Sequence, residues 1–88
     1  MPLVGKVLWW DSRDGNGIIV DPWGNEFYFD DSVLTKPRKT PRATQYVLFE
    51  VNQAILGTPC ACKVRLPESN RREFIKREFT KRAAETSL

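Results

Sequence analysis

The sequence contains no histidine and only two cysteines. Without histidine, the chain lacks the commonest general base and the usual partner that activates a serine or cysteine nucleophile. Zinc sites usually take a full set of Cys, His or carboxylate ligands, so we interpret Cys60 and Cys62 as small residues packed in a strand. The adjacent Asp30 and Asp31 would point to opposite faces of a strand and form no acid and base pair. We therefore expect no enzymatic activity, no metal site and no cofactor.

Long hydrophobic runs are also missing. No apolar segment approaches the roughly 20 residues that span a bilayer, and the first residues, Met-Pro-Leu-Val, lack the charged and then apolar pattern of a signal peptide. A chain of 88 residues is long enough to bury one hydrophobic core but not two. The sequence therefore predicts one folded domain in the cytoplasm, with no membrane partner.

The net charge of +3 is distributed unevenly along the chain. Residues 1–35 carry a net charge of −4, residues 36–66 carry +5 and residues 67–88 carry +2. Positive potential attracts polyanions and negative potential repels them. We expect a polyanionic partner to approach the middle and C-terminal segments rather than the first third of the chain.

Five segments show the β-branched, aromatic or alternating patterns of short strands. Turn residues separate these segments, and residues 35–44, with two prolines and four basic side chains, predict a long basic loop. Strands are predicted over residues 3–11, 17–20, 26–30, 46–52 and 60–66. Their alternation predicts a shared core of Val7, Ile19, Phe27, Phe29, Val47, Phe49 and Val51. One face of the last strand is predicted to carry Cys60, Cys62, Val64 and Leu66.

The pattern changes after residue 66. Ser69 or Asn70 can cap a helix, and apolar side chains then recur at helical spacing opposite a basic face. We therefore divide the chain into a β domain over residues 1–66 and a basic amphipathic extension over residues 67–88, predicted to be helical. The extension could pack on its own domain, cover a binding face or form a dimer contact. Packing on its own domain is the default for an amphipathic helix, but no physical argument from the sequence separates the three roles. The apolar positions concerned are Phe74, Ile75 and Phe79.

The first predicted strand carries a distinctive motif. Residues 5–11 read Gly-Lys-Val-Leu-Trp-Trp-Asp, which resembles the Gly-x-Val-x-Trp-aromatic-Asn pattern usual in cold-shock domains. Residues 14–19 fall at the family's first RNP-like motif, residues 27–32 fall at its second, and residues 47–51 resemble its fourth strand. The resemblance implies an all-β fold, a small five-stranded antiparallel OB-type barrel followed here by a short C-terminal helical extension. It also implies binding of single-stranded RNA or DNA on an exposed strand face.

The resemblance also implies roles for individual positions. Trp9 falls on the family's stacking tryptophan and is expected outside, with Trp10 as the neighbouring aromatic. Tyr28 is expected on the same surface, while Asn16 and Ile18 stand where the family usually presents phenylalanine. Basic side chains of the long loop could follow a phosphate backbone. The predicted nucleic-acid-binding residues are Lys6, Trp9, Trp10, Asn16, Ile18, Tyr28, Lys36, Arg38, Lys39 and Arg42.

Several acidic residues depart from the family pattern. Asp14 stands where the family usually has lysine, and Asp30 and Asp31 replace a histidine and a phenylalanine of the second motif. Carboxylates oppose a polyanion, and each missing aromatic stack removes about 1 to 3 kcal/mol of binding. We therefore expect weaker binding than in the usual member of the family. The alternative is a non-enzymatic protein-protein interaction module that has kept the barrel and lost nucleic-acid binding, with a protein partner or a second copy bound through the extension.

Overall fold

Five strands and one α-helix account for most of the chain in a computed structural model that describes residues 3–34, 40–52, 59–67 and 69–85. A single turn of 3₁₀ helix, Asp31–Val33, follows the third strand. The strands are β1 (Leu3–Asp11), β2 (Asn16–Val20), β3 (Glu26–Asp30), β4 (Tyr46–Asn52) and β5 (Cys60–Arg65), and the helix is α1 (Ser69–Glu85). The five strands predicted from the sequence are therefore confirmed, with only small differences at their ends.

The strands close into a barrel in the order β1-β2-β3-β5-β4. Neighbouring strands are antiparallel except β3 and β5, which are parallel and meet at Tyr28 and Cys60. The prediction of a fully antiparallel barrel is wrong at this seam, because strand directions cannot alternate all the way round a closed ring with an odd number of strands. The closed five-stranded barrel with a C-terminal helix is confirmed, and it is consistent with the OB type.

Apolar side chains from all five strands fill the barrel. Phe27 and Phe49 pack with their ring centroids 5.2 Å apart. The prediction that Val51 belongs to the shared core is wrong, because its side chain is 39% exposed. Val51 pairs with the buried Ala61, but it lies one residue before the end of β4, where the barrel no longer covers it. The predicted core residues that are buried are Val7, Ile19, Phe27, Phe29, Val47 and Phe49.

The fifth strand does not keep the simple alternation that the sequence predicts. Cys60 is exposed and Cys62 is half-buried, whereas Ala61 and Val64 are buried. The register between β4 and β5 shifts beside Lys63, whose φ of 48° is left-handed. This bulge changes which residues point inward, so the interpretation of both cysteines as packed strand residues is wrong for Cys60.

Helix α1 packs on the outer surface of β1 and β4. Ile75 is only 2% exposed, and the Phe79 ring meets the Tyr46 ring edge-on at a centroid distance of 5.3 Å. Phe74, which the helical spacing grouped with these two, is 65% exposed. The extension therefore packs on the chain's own barrel, through Ile75 and Phe79 rather than Phe74. No helix in the described ranges has the length and apolar content needed to cross a membrane.

Candidate nucleic-acid interface

Three side chains form a row across the outside of the barrel. Trp9 pairs with Ile18 between β1 and β2, and Ile18 pairs with Tyr28 between β2 and β3. Directly paired residues point to the same face and lie about 4.5 to 5.5 Å apart at Cβ. Trp9 is 44% exposed, Tyr28 is 37% exposed and Ile18 is half-buried between them. We call Trp9, Ile18 and Tyr28 the aromatic row.

A bulge in β1 gives Trp9 its outward position. Val7 pairs with Ile19 but Trp9 pairs with Ile18, so β1 carries one residue more than β2 in this stretch. The extra residue, Leu8, is exposed together with Trp9. The expectation that Trp9 lies outside is therefore confirmed, and the local cause is a departure from strand alternation.

Trp10 lies on the other side of β1 and does not join the row. Its ring packs on Phe29 with a centroid distance of 5.0 Å, so most of its surface is directed at the core. Gly17 makes this packing possible. A Cβ added there would collide with the backbone oxygen of Trp9 and lie 3.1 Å from the rings of both Trp10 and Phe29. Trp10 therefore supports the row from within the barrel.

Asn16 stands at one end of the candidate surface, where it pairs with Asp11 and Asp30. The Asp11 carboxylate accepts a hydrogen bond of 2.9 Å from the backbone N–H of Arg13. Asp30 caps the 3₁₀ turn, and its carboxylate accepts hydrogen bonds from the backbone N–H and the hydroxyl of Ser32. These carboxylates stabilise turns, so this end of the row is acidic for a structural reason.

Of the predicted basic residues, Lys6 and Arg42 lie in the described part of the chain, and neither belongs to the aromatic row. Lys6 lies three positions before Trp9 on β1, and its Nζ sits 6.0 Å from the Tyr46 ring centroid and 5.7 Å from that of Phe79. Such distances allow a cation–π interaction that ties β1 to α1. Arg42 is exposed in the turn before β4. The loop residues Lys36, Arg38 and Lys39 lie outside the described residues.

The exposure of two further apolar side chains, Leu8 and Trp23, was not predicted from the sequence. Leu8 is exposed beside Trp9 and directly follows the buried Val7, so strand alternation alone would place it outside. Trp23 is exposed in the turn between β2 and β3, where the carboxylate of the buried Asp21 accepts hydrogen bonds from the N–H groups of Trp23 and Asn25. A tryptophan inside a Pro- and Gly-containing turn was the available signal, because connecting segments usually lie on the protein surface.

The sequence matches no protein-family model and no curated protein. In the described part of the chain, no group of three or more His, Cys, Asp or Glu side chains is placed to hold a metal ion. The exposed aromatic rings of Trp9 and Tyr28 flank the aliphatic side chain of Ile18 on three adjacent strands.

Proposed function

We propose that the chain binds single-stranded nucleic acid, RNA or DNA, through the aromatic row, as a non-enzymatic barrel protein of the cold-shock and OB type acting in the cytoplasm. The observation that carries the proposal is the alignment of exposed Trp9 and Tyr28 across three paired strands. Unpaired bases stack on such rings whatever their sequence, because every base has an aromatic face. The resemblance of residues 5–11 and 27–32 to cold-shock motifs supports the same conclusion.

The row supports modest affinity. Two aromatic platforms are present, and Ile18 between them offers apolar contact without a ring. At about 1 to 3 kcal/mol for each stacked base, two platforms supply roughly 2 to 6 kcal/mol before any phosphate contact is counted. Basic residues must add to this to give useful binding at physiological salt, since phosphate contacts supply much of the affinity of nucleic-acid-binding proteins.

An alternative function, protein binding, is favoured by a different surface. Leu48, Phe74 and Ile75 line a small apolar groove between β4 and α1, with Arg71 at its edge. Phe74 is largely exposed there. An exposed phenylalanine at the edge of an apolar groove is a common feature of protein contacts. This groove lies on the helix side of the barrel, so protein binding there would leave the aromatic row open.

The direct test measures anisotropy of a labelled random-sequence oligonucleotide, as DNA and as RNA, at low salt. We expect binding to the single strand, and weak competition by an unlabelled duplex of equal length because its bases are stacked on one another. Equal competition by duplex and single strand would show that binding is only electrostatic. Absence of binding to either oligonucleotide would favour the protein-interaction alternative.

A further inference from the structure

A cleft of about 610 Å³ opens where the two basic parts of the chain meet. One wall is the segment 40–45 that leads into β4. The opposite wall is formed by the end of β5 at Leu66 and the first turns of α1 at Arg72. Arg42 and Arg72, far apart in sequence, therefore line the same cavity.

The cleft is suited to an anion. Its lining residues are all neutral or basic, and Thr40, Thr44 and Gln45 add hydroxyl or amide groups. Among the described residues, neither Arg42 nor Arg72 lies within ion-pair distance of a carboxylate. The first turn of α1 contains no acidic residue, so the positive end of the helix dipole adds to the charge of Arg72.

Hydrogen bonds hold the Arg72 side chain and the Arg42 backbone beside the cleft. The Nε of Arg72 donates to the backbone oxygen of Pro67 at 3.4 Å. Arg42 belongs to a closed turn, because its N–H donates to Gln45 Oε1 at 3.1 Å and its carbonyl accepts from the Gln45 N–H at 3.1 Å. Thr44 in that turn has a φ of 70°, unusual for a β-branched residue. Strained turns of this kind are often found at binding sites.

The cleft lies beside the aromatic row. The Val7 N–H donates to the Gln45 carbonyl at 2.8 Å, and the Thr44 N–H donates to the Val7 carbonyl at 2.7 Å. The turn is thus bonded to β1 two residues before Trp9. Neighbouring β-strands lie about 4.8 Å apart. A nucleic-acid chain that runs across the barrel from Tyr28 to Trp9 therefore next meets the turn that contains Arg42 and Gln45.

We propose that the cleft is a phosphate subsite, in which Arg42 and Arg72 together hold one backbone phosphate of a strand stacked on the aromatic row. The inference rests on the proposed function and deepens it. Planar guanidinium groups bind phosphate oxygens through paired hydrogen bonds, and two of them can share one phosphate. Helix α1 is then part of the nucleic-acid site rather than only a support for the barrel.

The test compares Arg42→Gln, Arg72→Gln and the double variant with Arg77→Gln, which removes a charge from exposed helix surface outside the cleft. Each single cleft variant should weaken oligonucleotide binding roughly tenfold, the size of one lost charged hydrogen-bond pair, while Arg77→Gln changes it less than twofold. Because both arginines hold the same phosphate, the double variant should weaken binding by less than the product of the single effects. Melting temperatures within a few degrees of the parent check that all variants are folded.

Salt dependence separates one shared phosphate from two independent contacts. The double variant should reduce the slope of log affinity against log salt by about 0.7, one single-strand phosphate, rather than by about 1.4. Multiplicative single effects or the larger slope change would overturn the shared subsite, and cleft variants that behave like Arg77→Gln would overturn the cleft altogether. In both cases the proposed function stands, provided that the parent chain binds. A parent chain that binds no oligonucleotide would remove the proposed function and the subsite together.

Discussion

Trp9 on β1 and Tyr28 on β3 present two exposed rings on the same outer face of the barrel, with Ile18 of β2 between them. The proposed function depends on this arrangement. We predict that Trp9→Ala and Tyr28→Ala each weaken binding of a single-stranded oligonucleotide by about 1 to 3 kcal/mol, the contribution of one stacked base. Anisotropy titrations at fixed salt measure the loss. The two side chains are partly exposed, so both variants should remain folded.

Trp23 provides the matched control for these two variants. It is an exposed tryptophan of the same barrel, but it lies in the turn between β2 and β3 rather than in the aromatic row. Trp23→Ala should change affinity by less than about 0.5 kcal/mol, as usual for a surface substitution away from a site. If Trp23→Ala weakened binding as much as Trp9→Ala, the strand would follow a different path from the one proposed.

Thr44 holds an unfavourable backbone conformation, with a φ of 70°. We predict that Thr44→Gly raises the free energy of unfolding by about 1 kcal/mol, since relief of roughly 1 to 3 kcal/mol of strain exceeds the entropic cost of glycine. Ala43→Gly, at an exposed position of the same turn without positive φ, should instead lower it by about 0.5 to 1 kcal/mol. Urea denaturation measures both, and equal destabilisation by the two variants would show that Thr44 is not strained.

At the residue scale, strand alternation predicted the orientation of side chains in the regular strand β3. Phe27 and Phe29 are buried with Tyr28 outside, as alternation requires. Prediction failed for Cys60, because the bulge at Lys63 depends on pairing with β4, a contact distant in sequence. Trp9 was placed correctly only through the family resemblance, since alternation from the buried Val7 would place Trp9 inside.

Helix α1 is attached to the barrel by one face, where Ile75 is buried while its neighbour Phe74 is largely exposed. We predict that Ile75→Ala weakens the packing of the helix on the barrel by about 2 to 5 kcal/mol. If this loss exceeds the free energy of packing, the helix detaches. Phe74→Ala should be within about 0.5 kcal/mol of the parent, because its ring is exposed and alanine favours helix. Hydrogen exchange of the helix amides, read together with thermal unfolding, distinguishes detachment from global unfolding. Similar effects of the two substitutions would contradict the docking geometry.

At the scale of elements, strand positions followed from turn residues and alternation, and the helix followed from its spacing. Packing of that helix on its own barrel was the default expectation and is confirmed, but the barrel face and the residues in contact could not be predicted, because the apolar positions alone do not specify them. Contact of Phe79 with Tyr46, and of Lys6 with both rings, depends on which barrel face the chain reaches after Leu66. The parallel pairing of β3 with β5 was not predicted either, although a closed barrel of five strands requires at least one parallel pair.

Across the whole molecule, charge is divided between an acidic end of the aromatic row and a basic cleft beyond it. Asp14 is exposed in the β1–β2 turn, and its carboxylate accepts no hydrogen bond from the described residues, whereas that of Asp30 caps the 3₁₀ turn. Asp14→Lys therefore removes repulsion without removing a cap. We predict roughly two- to fivefold tighter binding at low salt, an advantage that shrinks as salt screens it.

Glu85→Lys gives the same change in net charge at the far end of α1 and is the control for Asp14→Lys. It should tighten binding less, because screening limits the reach of an exposed charge to about 10 Å at 0.1 M salt. Titrations of both variants over a series of salt concentrations make the comparison. Equal gains from the two substitutions would mean that only net charge matters and that Asp14 does not lie near the bound strand.

Quenching of tryptophan fluorescence by an unlabelled single-stranded oligonucleotide at low salt tests the central claim most directly. The chain contains three tryptophans, of which Trp9 lies in the aromatic row, Trp10 packs on the core and Trp23 lies in a turn. We predict saturable quenching in the parent chain and in Trp23→Phe, and loss of most of it in Trp9→Phe, because a base stacked on the indole quenches it. A flat titration of the parent, or quenching that persists in Trp9→Phe and disappears in Trp23→Phe, would contradict binding across the aromatic row.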